Sequence, residues 1–118
     1  MTTELAKRAV ACKHWRWMPG MLITSKMRVV SVEHASLVVL DDEFDFVEIT
    51  DGKAIPDLDD PATLGCLLAL VRRAWNDQRI NTLPTTDGGW AVADGDDDWI
   101  CTGTTEAEAL VGALEAAP

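Results

Sequence analysis

The first apolar pattern along the chain has helical spacing. Apolar side chains fall on one face of a predicted helix from Glu4 to Lys13, and the basic side chains between them fall on the other. Thr2 or Thr3 is expected to cap its N-terminus, because a hydroxyl there accepts a hydrogen bond from a free main-chain N–H group. The chain therefore opens with a predicted amphipathic helix.

Two further helices carry start signals of their own. Asp60-Pro61 places a capping carboxylate before a proline at the first helical position, where the missing N–H costs nothing. Thr105 and Glu108 have the spacing of a capping box, followed by an apolar face from Ala107 to Leu114. The second helix has the most regular stripe, and we expect it to be central to the core. That stripe consists of Leu64, Leu67, Leu68, Val71 and Trp75.

Between the helices, β-branched residues alternate with polar ones and are bounded by turn residues. The predicted strands are Met21–Thr24, Met27–Glu33, Ser36–Leu40, Phe44–Ile49, Trp90–Ala93 and Trp99–Thr102, with the last two joined across Asp94–Asp98. Thr82-Leu83-Pro84 is expected to break the pattern. The prediction is one α+β domain spanning 1–118, in the order α-ββββ-α-ββ-α. Three helices pack on an antiparallel sheet that consists of a meander and a C-terminal hairpin.

The charge of the chain is strongly segregated and bears on its partners. The net charge is -10, and residues 1–28 carry six Lys or Arg against one Glu, whereas residues 80–118 carry eight acids and no base. An acidic protein is repelled by nucleic acid, so we expect no direct nucleic-acid binding and favour partners with a basic surface. The longest apolar run, 66–71, is too short to span a bilayer, and no signal peptide is evident. Together with three cysteines, this predicts a cytoplasmic protein with reduced thiols.

The segment His14–Met21 places two tryptophans around an arginine, ahead of a Pro-Gly corner. Trp15, Arg16 and Trp17 could hold a nucleotide or another small molecule by stacking, with His14 at the rim. The alternative is an architectural corner between the first helix and the sheet. In that case Trp17 and Met21 pack against the Leu64–Leu67–Val71 face and Arg16 stays exposed.

The acidic clusters do not have the spacing of a metal site. Asp94–Asp98 begins like an EF-hand loop, but Trp99 stands where glycine is required and Thr105 where a bidentate glutamate belongs, so a solvated hairpin turn is expected. Cys12-x-His14 lacks the second pair of ligands that zinc needs. We predict no metal, no cofactor and no catalytic residue. The candidate residues for partner binding are Trp15, Arg16, Asp41, Asp42, Glu43, Asp96, Asp97 and Asp98.

Three segments resemble small proteins encoded in phages and prophages: LAKRAVACKHWRWMPGM at 5–21, PDLDDPATLGCLLALVRRAW at 56–75 and TTEAEALVGALEAA at 104–117. The resemblance is to the phage α/β/α-sandwich domain family, which has no assigned activity. It implies a fold and a phage setting, with the bacterial host cytoplasm as the location, but no site residue.

Three classes of function follow from these observations. The leading hypothesis is a non-enzymatic, phage-encoded accessory protein that binds a host or phage protein. Its acidic surface could then occupy the basic groove of a host nucleic-acid-binding defence protein, as some anti-restriction and anti-CRISPR inhibitors do. The second hypothesis is a small-molecule or nucleotide binder at the Trp15-Arg16-Trp17 segment. The third is a metal-dependent enzyme using the Asp94–Asp98 loop, which the absence of a catalytic motif disfavours.

Overall fold

A computed structural model describes residues 3–118, in which single helices alternate with groups of three strands. The order is α-βββ-α-βββ-α, which confirms the predicted α+β class. A short 3-10 helix, Asp51–Lys53, follows the third strand. The helices and strands are α1 (Thr3–Ala11), β1 (Arg28–Glu33), β2 (Ser36–Leu40), β3 (Phe46–Thr50), α2 (Pro61–Trp75), β4 (Asn81–Pro84), β5 (Trp90–Ala93), β6 (Trp99–Gly103) and α3 (Glu106–Ala116).

The strands form two separate antiparallel sheets, in the orders β1-β2-β3 and β4-β5-β6. The expectation of one sheet was therefore wrong, as was the division of the strands into four and two. In the first sheet, Val29, Leu37 and Val39 are fully buried and share one face. In the second sheet, Val92 and Cys101 are paired on the face that α3 covers. Each sheet thus has its own buried face.

The predicted strand at Met21–Thr24 forms only two isolated bridges, Leu22 with Arg28 and Ile23 with Pro56. The reason is local: Ile23 donates its N–H group to the Met27 carbonyl at 3.0 Å, which turns the chain back toward β1 almost at once. On the other side, Asp57 donates its N–H group to the Leu22 carbonyl at 2.8 Å. The segment is therefore extended and paired, but too briefly to form a ladder.

The segment Asn81–Pro84, which was expected to break the pattern, is strand β4. Proline lacks an N–H donor and is usually excluded from central strands, but an edge strand tolerates it. Pro84 lies at the end of β4, an edge strand, where it pairs with Trp90 of β5. The proline is therefore compatible with a strand here, because that strand lies at the edge of the sheet.

Helix α2 begins and ends as its sequence predicts. The Asp60 carboxylate accepts a hydrogen bond from the Thr63 N–H group at 2.9 Å, and Pro61 occupies the first turn. Asn76 ends the helix in a left-handed conformation, with φ of 52°. Leu67 and Val71 of the predicted stripe are fully buried, whereas Leu64, Leu68 and Trp75 are half-buried.

The central helix is α3 rather than α2. It contacts β5 and β6 of the second sheet as well as α1 and α2. Its buried residues cover more than half of its circumference: Ala107, Ala109, Leu110, Val111, Ala113 and Leu114. The Trp75 indole donates a hydrogen bond to the Ala113 carbonyl at 2.8 Å, and Arg8 of α1 pairs with Glu115. The last helix therefore connects α1 and α2 with the second sheet.

The predicted helix termini are partly confirmed. Thr105 caps α3 by accepting a hydrogen bond from the Glu108 N–H group at 3.1 Å, but Glu108 accepts from the Thr104 hydroxyl instead of completing the capping box. Helix α1 ends at Ala11, two residues before the predicted end, and Thr3 lies inside it. Thr2, the other candidate cap, lies outside the described residues. None of the helices between residues 3 and 118 has both the length and the hydropathy that crossing a membrane requires.

Candidate functional site

The tryptophans that follow α1 form a packed corner. Trp15 is only 6% exposed and belongs to the core, together with the fully buried Met21. Trp17 is half-buried, and its ring meets that of Trp15 edge to face, with 5.3 Å between the ring centroids. Trp17 was expected to pack against the core and does so, but the buried indole is that of Trp15, because the chain leaves α1 in a direction that turns Trp15 inward. Met21 is buried as predicted.

Arg16 is exposed, as predicted, but its guanidinium group is directed back at the main chain. It donates hydrogen bonds to the carbonyls of Lys13 at 3.1 Å and Trp15 at 2.7 Å. A small cleft of about 250 Å³ lies beside it, lined by His14, Arg16, Leu70, Arg73 and Ala74. Because the Trp15 ring is buried, the segment does not present two open indole faces to a base.

The Asp41–Asp45 turn, which joins β2 to β3, is organised by its first residue. The Asp41 carboxylate accepts hydrogen bonds from the N–H groups of Glu43 and Asp45, both at 2.9 Å. Asp41 also donates its own N–H group to the Asp45 carbonyl at 3.1 Å. Asp41 is half-buried and holds the turn in shape, whereas Asp42 and Glu43 are exposed at its tip. The candidate residues of this acidic cluster thus divide into one structural and two surface positions.

Two phenylalanines project from this turn into solvent. Phe44 is 81% exposed and Phe46 is 72% exposed. Phe44 also has a left-handed backbone, with φ of 63°, which is unusual for a bulky residue and unfavourable by about 1 kcal/mol or more. Neither burial nor backbone preference explains a phenylalanine at position 44.

Four turns among residues 3–118 share the backbone shape of the turn that contains Phe44. In each, the first residue donates its N–H group to the carbonyl of the fifth at 2.9 to 3.1 Å, and the fourth residue has positive φ. This is a type I turn followed by a left-handed residue, a common hairpin connection. The turns are 23–27, 41–45, 85–89 and 94–98, with Lys26, Phe44, Gly88 and Asp97 at the fourth position. Phe44 is the one large apolar residue among the four.

The Asp94–Asp98 segment is the hairpin turn that its sequence predicts. Asp94 accepts hydrogen bonds from the N–H groups of Asp96 and Asp98, at 2.8 and 3.0 Å, so its carboxylate serves the turn. Asp96, Asp97 and Asp98 are exposed. Over the described range of the chain, no three His, Cys, Asp or Glu side chains converge in a way that could hold a metal ion.

The acids around Phe44 and Phe46 form no ion pair among residues 3–118. The five ion pairs of the described residues involve Glu4, Asp57, Asp60, Asp77 and Glu115. Asp42, Glu43, Asp45 and Glu48 remain exposed and unpaired beside the two aromatic rings. We call residues 41–46 the acidic aromatic tip.

The two phenylalanines were missed as candidates because Phe44 to Ile49 alternates like a strand. The signal that could have identified them is the turn itself. An aspartate at the first position of a five-residue hairpin loop favours a turn that ends at Asp45, so Phe44 falls in the loop and β3 begins at Phe46.

A broader cleft of about 550 Å³ lies in the second sheet, between the 85–89 turn, the end of β6 and the start of α3. Trp90 and Trp99 line it, together with threonines and the carboxylates of Asp87 and Glu108. Hydrogen bonds from the Thr85 hydroxyl and the Gly89 N–H group lower the pKa of Asp87, so this carboxylate stays ionised. The cleft has hydrogen-bonding groups, but the two indoles form no stacked or edge-on pair among the aromatic contacts of the described residues.

The site on which these observations converge is the acidic aromatic tip, where two exposed rings and several unpaired carboxylates occur together. The resemblance to the phage α/β/α-sandwich family stays a prediction. No family model matches the chain, and neither a curated protein nor a solved structure matches it.

Proposed function

We propose that the chain is a protein-binding module whose acidic aromatic tip inserts Phe44 and Phe46 into an apolar pocket with a basic rim on its partner. The observation that carries this proposal is Phe44, an 81% exposed ring on a left-handed backbone. Folding alone disfavours this residue, since its exposure gains no burial and its backbone is strained. A contact made outside the chain would account for a phenylalanine at such a position.

The charges around the rings support a basic partner. Asp42, Glu43 and Asp45 are exposed and form no ion pair within the described part of the chain. Unpaired charges at the rim of an interface speed association with an oppositely charged surface and reject partners of like charge. The rings would supply most of the affinity, because buried aromatic anchors dominate binding energy.

Proteins that bind nucleic acid are one class with the required surface, since their grooves are lined with Lys and Arg. On this proposal the chain is an accessory protein, phage-encoded as its sequence suggests. It acts by occupying the basic surface of a host or phage protein rather than by catalysis.

The test compares the wild-type protein with a Phe44→Ser, Phe46→Ser double variant in capture from host lysate, followed by measurement of Kd for the captured protein. We expect the double variant to weaken binding by more than about tenfold, because truncating central aromatic anchors typically costs about 2 kcal/mol or more. Binding should also weaken as salt is raised.

Trp99→Ser provides the matched control, because Trp99 is a 58% exposed aromatic residue directly after the other acidic turn. Both variants should keep the wild-type melting temperature, since the substituted rings are exposed. Equal capture by the wild-type protein and the phenylalanine variant, or equal loss in the Trp99→Ser control, would overturn the proposal.

A further inference from the structure

Strand β3, which follows the acidic aromatic tip, is an open edge of the first sheet. Its main-chain groups alternate in direction. The Asp41 N–H group bonds to the Asp45 carbonyl and the Asp51 N–H group to the Ala35 carbonyl, and these two pairs set the register of the ladder. Counting inward by twos, Val47 and Ile49 face β2 with their N–H and carbonyl groups. Those of Phe46, Glu48 and Thr50 therefore point away from the sheet.

Apart from the Thr50 carbonyl, which accepts the first hydrogen bond of the 3-10 helix Asp51–Lys53, these outward groups have no main-chain hydrogen-bond partner within residues 3–118. The opposite edge of the same sheet is different. There Gly20 donates its N–H group to the Val29 carbonyl, and Val29 donates to the Met21 carbonyl, both at 2.8 Å. The chain thus covers the β1 edge with its own residues and leaves the β3 edge uncovered.

A groove of about 390 Å³ runs beside the uncovered edge. It is lined by residues 48–50 of β3, by Lys53, and by Ile23, Ser25 and Met27 of the 23–27 turn. An unpaired strand edge is a template for another strand, and a neighbouring groove gives the added side chains a place to lie.

We infer that this edge and groove bind an extended segment of the partner protein, which adds a strand to β3. The inference rests on the proposed function, because the segment would continue the contact made at the acidic aromatic tip. Hydrogen bonds to the main-chain groups of Phe46 and Glu48 and to the Thr50 N–H group would hold its main chain. Side chains on one face of the segment would lie beside Phe46 and Glu48, and those on the other beside Ile49 and Met27.

Two charged side chains line the groove, Glu48 and Lys53, and Glu48 lies at the middle of β3, where its charge distinguishes between possible occupants. In an antiparallel pairing of β3 with a second copy centred on its middle residue, Glu48 would lie opposite Glu48 of the second copy, and like charges directly opposite each other are destabilising. A segment with Lys or Arg at that position gains an attraction instead. The expected ligand is therefore an extended peptide in which apolar residues alternate with basic or polar ones.

The experiment selects peptides from a displayed library of random dodecapeptides on the wild-type protein. We expect enrichment of sequences that alternate apolar and basic residues. Their Kd should rise by more than about tenfold with Glu48→Pro, because proline removes an outward N–H donor while sparing the ladder to β2. Glu48→Gln is the matched control for charge and should weaken binding less than Glu48→Pro.

Hydrogen exchange provides a second measurement that does not depend on the proline variant folding. On addition of a selected peptide, the Glu48 and Thr50 amides should become protected, whereas Val47 and Ile49 should change little, because they are already bonded to β2. Lack of enrichment, peptides that bind Glu48→Pro normally, or unchanged exchange at Glu48 and Thr50 would overturn the inference. A dimer that Glu48→Pro dissociates would overturn it too, since the occupant would then be a second copy.

The two proposals can fail separately. If partner capture is lost with the Phe44→Ser, Phe46→Ser variant but kept with Glu48→Pro, the tip binds the partner and the edge does not. If selected peptides protect the β3 amides but the Phe44→Ser, Phe46→Ser variant captures the partner as well as the wild type does, the edge binds peptides. The function proposed for the acidic aromatic tip would then be wrong.

Discussion

At the scale of single residues, the fourth position of the shared hairpin turn is occupied according to backbone preference in one turn and against it in another. Gly88 occupies it in the 85–89 turn with φ of 89°, a conformation that glycine adopts at no steric cost. Phe44 occupies it in the 41–45 turn against that preference. The same backbone position thus serves folding in one turn and, we propose, recognition in the other.

Substitutions at the fourth position of these two turns should change the stability of the protein in opposite directions. Phe44→Gly should raise the free energy of unfolding by about 0.5–1 kcal/mol, because it relieves the left-handed strain and removes no packing. Gly88→Ala should lower it by a similar amount, although a Cβ there meets nothing within 4 Å, since only the backbone is strained. Urea unfolding of both variants measures the pair. Loss of stability with Phe44→Gly would show that the ring has a packing role.

The buried indole of the corner makes the second prediction at this scale. Trp15→Ala should lower the free energy of unfolding by about 3–5 kcal/mol, as aromatic truncations in cores do. Trp17→Ala should cost less, because its ring is half-buried. Lys13→Ala, at an exposed neighbouring position, is the control and should stay within about 0.5 kcal/mol. Chemical denaturation gives the order, and a larger cost for Trp17 than for Trp15 would contradict the assignment.

At the scale of the elements, two glycines inside helices have opposite surroundings. A Cβ at Gly65 of α2 would meet nothing within 4 Å, whereas one at Gly112 of α3 would lie 2.4 Å from the Cys101 sulfur. The glycine in α3 therefore lets the helix approach β6 closely, and the glycine in α2 serves no packing purpose in the described residues.

Substitution by alanine should distinguish these two helices. Gly65→Ala should stabilise the protein by about 0.5–1 kcal/mol through helix propensity alone. Gly112→Ala should destabilise it, because the added methyl group displaces Cys101, and Cys101→Ala in the same chain should recover part of the loss. Thermal unfolding of the three variants checks the order. A stabilising Gly112→Ala would mean that β6 yields to the methyl group easily.

Elements with local signals were predictable from the sequence, and those set by distant contacts were not. Asp60 and Thr105 cap α2 and α3 because a cap depends only on neighbouring N–H groups. Strand β4 was not predicted because it contains Pro84, and a strand tolerates proline only where it lies at the edge of a sheet. The burial of Trp15 rather than Trp17 follows from the direction in which the chain leaves α1. Phe44 was missed for a third reason, because alternation outweighed the turn signal of Asp41.

At the scale of the whole molecule, the first sheet is joined to α2 by a charged pair. Arg28 of β1 donates hydrogen bonds to the Asp60 carboxylate, the nearest at 2.7 Å, and to the Gly20 carbonyl at 2.9 Å. The same carboxylate caps α2. Burial raises the pKa of Asp60, but hydrogen bonds from Arg28 and Thr63 outweigh burial and leave it below its ordinary value of 3.8.

The lowered pKa of Asp60 makes the stability contributed by the Arg28–Asp60 pair dependent on pH. Because the folded protein holds the Asp60 proton less tightly than the unfolded chain, the stabilisation is complete above about pH 4 and is lost as pH falls through the lowered pKa. Asp60→Asn should therefore destabilise the protein at neutral pH, and its difference from the wild type should shrink in acid. Asp59→Asn, at an exposed neighbouring position, should show no such convergence. Urea midpoints across the pH range measure it, and a constant difference would contradict the assignment.

The central position of α3 also has a consequence for the time at which the protein can fold. Proteins are synthesised from the N-terminus, so α1, the first sheet and α2 leave the ribosome before the helix against which α1 and α2 pack. Until residues 106–116 emerge, the apolar faces of α1 and α2 lack the helix that covers them. We therefore expect the nascent chain to expose these apolar faces during synthesis. Its core can close only after the last helix has been made.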